Sequence, residues 1–241
     1  MNIDFIIKMC RGSIFAPTVS YNEDTWEKLA PKFTGFLPSE KGSPTINLQG
    51  NLIQLGGPTW VLASKKENIE IHFLDGKIDV FLLARNSIYT SETIETLCLR
   101  VKDIFEKIVT TLDLKATRLA FSPLLLSRNT EHGEIIEFVR SIFNNRTFKG
   151  ERIDNCDFSN VFRIRNDING TGIVVNHLAN FSVTQNPIEE SGKLIMREAL
   201  QLNVDINTIV GKNYIFSIED INDFFSKSSS LTIDFVSSYF E

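Results

Sequence analysis

Cysteine is scarce, and its 3 residues (Cys10, Cys98 and Cys156) stand too far apart for a disulfide framework or a zinc knuckle. The 3 histidines, His72, His132 and His177, are equally scattered, and none falls in a metal-binding spacing such as H-E-x-x-H. No apolar run approaches the ~18 residues that a membrane-spanning helix needs, and the chain does not open on a basic segment followed by an apolar one. These absences lead to the expectation of a reducing, cytoplasmic setting with no membrane, no structural metal and no cofactor. The glycine-rich P-loop, the G-x-G-x-x-G dinucleotide fingerprint and the G-x-S-x-G nucleophile elbow are missing too, which removes the common nucleotide-binding and hydrolase templates. No catalytic residue is assigned.

What is present is an ordinary globular composition over 241 residues, with 42% hydrophobic and 23% charged side chains. The net charge of −5 gives no global pull toward nucleic acid or an anionic membrane. Phenylalanine is abundant, at 19 against 2 Trp and 4 Tyr. A Phe-rich core accounts for this, since the ring buries a large area and brings no polar atom that needs a partner. The wealth of Asn, Ile, Lys and Phe fits an AT-rich bacterial genome.

The longest helical pattern runs from Ser91 to Leu112, with Ile94, Leu97, Val101, Ile104, Phe105, Ile108 and Leu112 on one face and Ser91 as its N-cap. Asp75-Gly76 predicts a type I′ hairpin that pairs Phe73 with Ile78, Ile71 with Val80 and Ile69 with Leu82, all apolar. The same register sets His72 opposite Asp79. Residues 2–10, 45–55, 59–64, 115–122, 158–165 and 172–183 read as further strands, the last two flanking a second type I′ signal at Asn169-Gly170. Leu200, Leu202, Val204 and Ile206 alternate with polar neighbours over 197–207, the pattern of a strand with one wet face. Shorter helical patterns cover 22–33, ended by Pro31, and 130–143. Residues 34–44 read as a loop. A terminal helix starts near Ser217, where Ser217-x-x-Asp220 resembles a capping box.

This order predicts an α+β fold of antiparallel meander sheets, each covered by a long helix. The first half reads β-α-β4-α over 1–114 and the second β-α-β3-α over 115–241, either as two units or as one continuous domain. The order resembles the half-repeat of the TATA-box-binding-protein-like (helix-grip) fold group. Separately, WVLASKKENIEIHFLDGKIDV (60–80), TRLAFSPLLL (117–126), LQLNVDIN (200–207) and the terminal helix resemble a sporadically distributed family of uncharacterised bacterial proteins. That resemblance covers about two thirds of the chain and implies a fold and a bacterial origin. It carries no catalytic motif and transfers no site.

One local charge anomaly remains. Arg146, Lys149, Arg152, Arg163 and Arg165 cluster between 146 and 165, and Arg163 and Arg165 share a strand face, where planar guanidinium forks suit phosphate or carboxylate. These five are the candidate binding residues. Asn203-x-Asp205-x-Asn207 has the start of a calcium loop but neither the Gly nor the Glu such a loop requires. His177 falls in the apolar register of its strand, as a core histidine would. The sequence therefore favours a non-enzymatic protein-binding or scaffold component of a bacterial multiprotein system. The alternatives are nucleic-acid or phosphate-ligand binding through the basic stretch, and an enzyme with its site between the two halves.

Overall fold

A computed structural model of the chain describes residues 3–19, 22–41, 45–48, 51–54, 59–128, 131–142, 157–165, 174–190, 193–209 and 214–240. The chain begins with strand β1 (Phe5–Phe15), followed by helix α1 (Glu23–Leu29), which the side chain of Asn22 caps by accepting from Thr25 N–H at 2.9 Å. Pro31 then confines the chain to a short 3-10 turn, Ala30–Lys32. Five strands follow: β2 (Leu37–Lys41), β3 (Thr45–Leu48), β4 (Asn51–Gln54), β5 (Thr59–Ser64) and β6 (Ile69–Leu74). Strand β7 (Lys77–Ile88) leads into helix α2 (Ser91–Leu112). The second half supplies β8 (Arg118–Ser127), α3 (His132–Ile142), β9 (Asp157–Arg165), β10 (Val174–Glu190), β11 (Lys193–Thr208) and α4 (Ile218–Phe240).

Nine strands form one antiparallel sheet in the order β2-β5-β6-β7-β1-β8-β11-β10-β9, and β3 and β4 pair separately. The α+β class follows directly. In each half the first strand lies beside the last one, β1 against β7 and β8 against β11, and the meander runs outward from there. The two halves join where β1 pairs with β8.

Helices α2 and α4 cross one face of this sheet and pack on each other. Their place above β1 is marked by Gly12, where an added Cβ would meet side chains of both helices. Helix α3 lies on the same face, since Phe138 packs on Phe181, which also meets Tyr239 of α4. Of the predicted stripe of α2, Ile94, Val101, Ile104, Phe105 and Ile108 are buried, while Leu97 and Leu112 are half-buried at its margin and Cys98 and Val109 complete the buried face. The alternation in β11 is equally plain, with Leu200, Leu202, Val204 and Ile206 buried. Among the described residues, no helix is long and apolar enough to cross a membrane.

Several local expectations are corrected. The N-cap of α2 is Thr90, whose hydroxyl accepts from Thr93 N–H at 3.1 Å, so the cap lies one residue earlier than Ser91. The β6–β7 hairpin has the predicted register. Its turn is not type I′, however, because only Gly76 takes a positive φ (+68°) and Asp75 does not. That tip is tied to the segment after β1, with Ala16 N–H donating to the Gly76 carbonyl at 2.9 Å. The 34–44 stretch contains strand β2, which pairs with β5 despite having no apolar alternation. Within 45–55, the described residues Thr45–Leu48 and Asn51–Gln54 form two short paired strands, β3 and β4, instead of one. Strands β10 and β11 pair with each other as far as Glu190↔Lys193, while among the described residues the pairing of β9 with β10 ends at Asp157↔Ser182 and that of β8 with β11 at Leu126↔Gln201. The second turn signal, Asn169-Gly170, lies outside the described residues. The capping box at α4 is reciprocal as predicted: Ser217 N–H donates to Asp220 and Asp220 N–H to Ser217, at 3.0 and 3.1 Å.

His177 is buried on the helix-covered face, at 3% exposure, edge-on to Phe235 of α4. Neither ring nitrogen has a hydrogen-bond partner among the described residues, so it is a core histidine but not a satisfied one. Burial lowers its pKa from the ordinary 6.5. The unfolded chain therefore takes up a proton where the folded chain does not, and stability falls as pH drops below 6.5 until the native pKa is reached. The expected slope is at most about 1.4 kcal/mol per pH unit. His177→Phe removes the slope and the unpartnered nitrogens, and is expected to be as stable as the parent or about 1 kcal/mol more so. Denaturant unfolding of both proteins across mildly acidic pH checks this, and equal slopes would refute it.

Candidate functional site

Side chains alternate across a strand, so the face opposite α2 and α4 is set by register. After an irregularity between Ile7 and Met9, β1 gives that face Met9, Arg11, Ser13 and Phe15. Among the described residues no helix covers it. Its centre is a row of hydrogen-bonded polar side chains that runs from the first half of the chain into the second.

On the second half, Asp205 anchors the row. Its carboxylate accepts from Ser122 Oγ at 2.9 Å and from Asn207 Nδ2 at 3.0 Å. The Asn207 carbonyl oxygen accepts from Arg118 Nη2 and from Asn176 Nδ2, both at 3.2 Å. Ser122 also accepts from Arg11 Nη2 at 3.4 Å, a long contact that bridges β8 to β1. On the first half, Asp79 accepts from Ser13 Oγ and from Lys77 Nζ, the latter at 2.8 Å. Lys77 and Arg118 lie over the Phe15 ring from the two flanking strands, 5.2 and 5.0 Å from its centroid.

His72 stands opposite Asp79 in register. Its Nε2 nevertheless lies 2.7 Å from Glu70 Oε2 on its own strand, with its ring 4.7 Å from that of Phe81. Asp79 is held by Ser13 and Lys77 instead, so His72 and Asp79 stand opposite each other in register but each contacts a different side chain.

One end of the same face is apolar. Ile6 aligns with Ile88 and Leu126, and Met9 with Leu83 and Leu124. Leu83 is 48% exposed and Ile88 55%; both belong to β7 and lie beside Met9 and Ile6 of β1 in register, a considerable exposed apolar area for one strand.

Of the five basic residues singled out from the sequence, Arg146, Lys149 and Arg152 lie outside the described residues. Arg163 and Arg165 fall in β9, the edge strand, aligned with Asn176 and Val174 of β10. Arg163 thus stands at the register position next to the Asn176 end of the polar row. The residues that sequence reasoning missed are Arg11, Lys77, Arg118 and Ser122. Their signal was available only in part, as polar residues alternating with apolar ones in β1, β7 and β8.

Two clefts of about 300 and 400 Å3 flank the outer side of α2, lined by Lys32, Asp103 and Lys107 among others. All their lining residues belong to the first half, so neither lies between the halves. No group of three or more His, Cys, Asp or Glu that could hold a metal ion occurs among the described residues. The thiols of Cys10 and Cys98 are buried in the core, where desolvation pushes their pKa values up and disfavours the reactive thiolate. The sequence matches no protein-family model and no curated protein.

Proposed function

We propose that the protein is a non-enzymatic binding module, part of a bacterial multiprotein system, that docks a partner protein on the uncovered face of its sheet. One observation carries this reading: the half-exposed side chain of Leu83, with the exposed Ile88 further along the same strand, lies next to a polar row already fixed by internal hydrogen bonds. An apolar patch with a polar surround is the usual anatomy of a protein interface. Side chains held in place beforehand lose little entropy on binding, which raises affinity for a given area. The acids Glu70, Asp79 and Asp205 stand among the cations on this face, and this favours a protein over nucleic acid, whose phosphates they would repel.

The reading predicts that Leu83→Asp abolishes co-purification of the native partner from its own cells, at least tenfold by quantitative mass spectrometry. Stability should change by no more than about 0.5 kcal/mol, because Leu83 is half-exposed. Undiminished capture by this variant would count against the docking face. The nucleic-acid alternative predicts instead that binding rests on Arg163 and Arg165 and weakens steeply with salt.

A second element of the proposal is that 1–114 and 115–241 are two copies of one unit, with β2, β3 and β4 as additions to the first. The neighbouring of first and last strand in each half supports it, as does the closing helix that each half lays on the same face. Superposition of β1, β5–β7 and α2 on β8–β11 and α4 is the check. Strands that cannot be overlaid in this order would sink the idea.

A further inference from the structure

Resting on that docking reading, we infer that the β1–β8 junction on the uncovered face is an anion-docking trough, in which Arg11 and Arg118 receive two carboxylates of an extended acidic segment of the partner. The inference starts from an imbalance. Lys77 has Asp79 at 2.8 Å and Arg100 has Glu67 at 2.9 Å, yet neither Arg11 nor Arg118 has a carboxylate within ion-pairing distance among the described residues. Both guanidiniums are half-buried. Arg118 donates to the neutral amide of Asn207, and among the described residues Arg11 makes only its long contact with Ser122. The Nε atom of each is buried and has no acceptor among the described residues. A partly desolvated charge without a counter-charge is costly, and a fork of five N–H donors is suited to a carboxylate.

The register sets the spacing. Arg11 pairs with Ser122 and Arg118 with Phe15, so the two arginines lie four residues apart along the junction, about 13 Å at the rise of a strand. The floor between them is Ser13 and Ala120, which face each other and are small and buried. An extended peptide presents alternate side chains on one side, so acids at positions i and i+4 span about the same 13 Å. Asp79 and Asp205 flank this trough on its two sides. They would oppose the continuous charge of a nucleic-acid backbone but leave room for two discrete carboxylates.

The test uses the full chain and three fluorescein-labelled probes: a short peptide with Glu at alternate positions, its Gln counterpart, and an oligothymidylate of matching length. Fluorescence anisotropy at low salt is expected to show binding of the Glu peptide, weakened by added salt, and none of the Gln peptide. The Arg11→Gln, Arg118→Gln double variant, shown to be folded by its melting curve, should bind the Glu peptide at least tenfold more weakly. No binding of the Glu peptide, or binding that the double variant leaves unchanged, would overturn the inference. Binding of oligothymidylate through the same arginines, as tight as that of the Glu peptide, would overturn the assignment of the partner. Capture of the native partner that survives the double variant but is lost in Leu83→Asp would remove the trough and leave the docking face standing.

Discussion

Gly12→Ala is expected to destabilise the protein by about 3 kcal/mol, lowering its melting temperature by roughly 6–12 °C. The residue lies mid-strand in β1, and its backbone needs no special conformation, so the effect comes from space alone. A Cβ there would sit 2.2 Å from Val101 Cγ1 and 2.9 Å from Phe105 Cε2 of α2, and 3.4 Å from Phe225 Cε1 of α4. The first two distances are below any real contact, and both neighbours are fully buried with nowhere to swing. The helix must therefore lift from the sheet, or β1 must sink away from it. Val101→Ala removes the closer clash and leaves only the 2.9 Å approach to Phe105, so in that background the same Gly12→Ala change should cost clearly less than it does in the parent. The non-additivity, measured in a double-mutant cycle by denaturant unfolding, is the discriminating quantity. A Gly12→Ala protein as stable as its parent would mean that α2 does not cross β1 at this point.

The course of α2 was legible in the sequence because a single stripe, Ile94 to Ile108, fixes which side faces the sheet. The register of β6 against β7 was legible for a similar reason: its apolar pairs and its turn residues agree. The N-cap was misread by one position because Thr90 and Ser91 are both good caps, and which of them turns into the helix depends on where β7 ends. Strand β2 was missed because its LPSEK has no alternation. It is a strand only because β5 offers an unpaired edge, and an edge position tolerates Pro38. The uncovered face was harder still. Arg11 and Arg118 are 107 positions apart in sequence, the difference of their numbers. Local pattern can assign each to the wet side of its own strand. It cannot say that β1 and β8 are neighbours, nor that Arg11 meets Ser122. The basic cluster drew attention because its members are close in sequence, whereas the trough arginines are close only through pairing.

Phe105→Ala is expected to cost about 4 kcal/mol, the middle of the range for deleting a buried aromatic side chain. Phe105 is fully buried, and its ring stacks on Phe225 at 5.0 Å between centroids and 23° between planes. This contact joins the closing helix of the first half to that of the second, directly above β1. Phe225→Ala should cost a similar amount, and the cycle between them should return a coupling of about 1 kcal/mol, typical of an aromatic pair. The consequence for the whole molecule is larger than the pair itself. With β1 hydrogen-bonded to β8 beneath and the two helices packed together above, neither half can expose its core without stripping the other. Wild-type unfolding should accordingly be one transition, coincident by fluorescence and circular dichroism. In Phe105→Ala that transition should move as a unit to lower denaturant and stay single. Two separated transitions in either protein would mean that the helix pair does not couple the halves, and that 1–114 and 115–241 fold on their own terms.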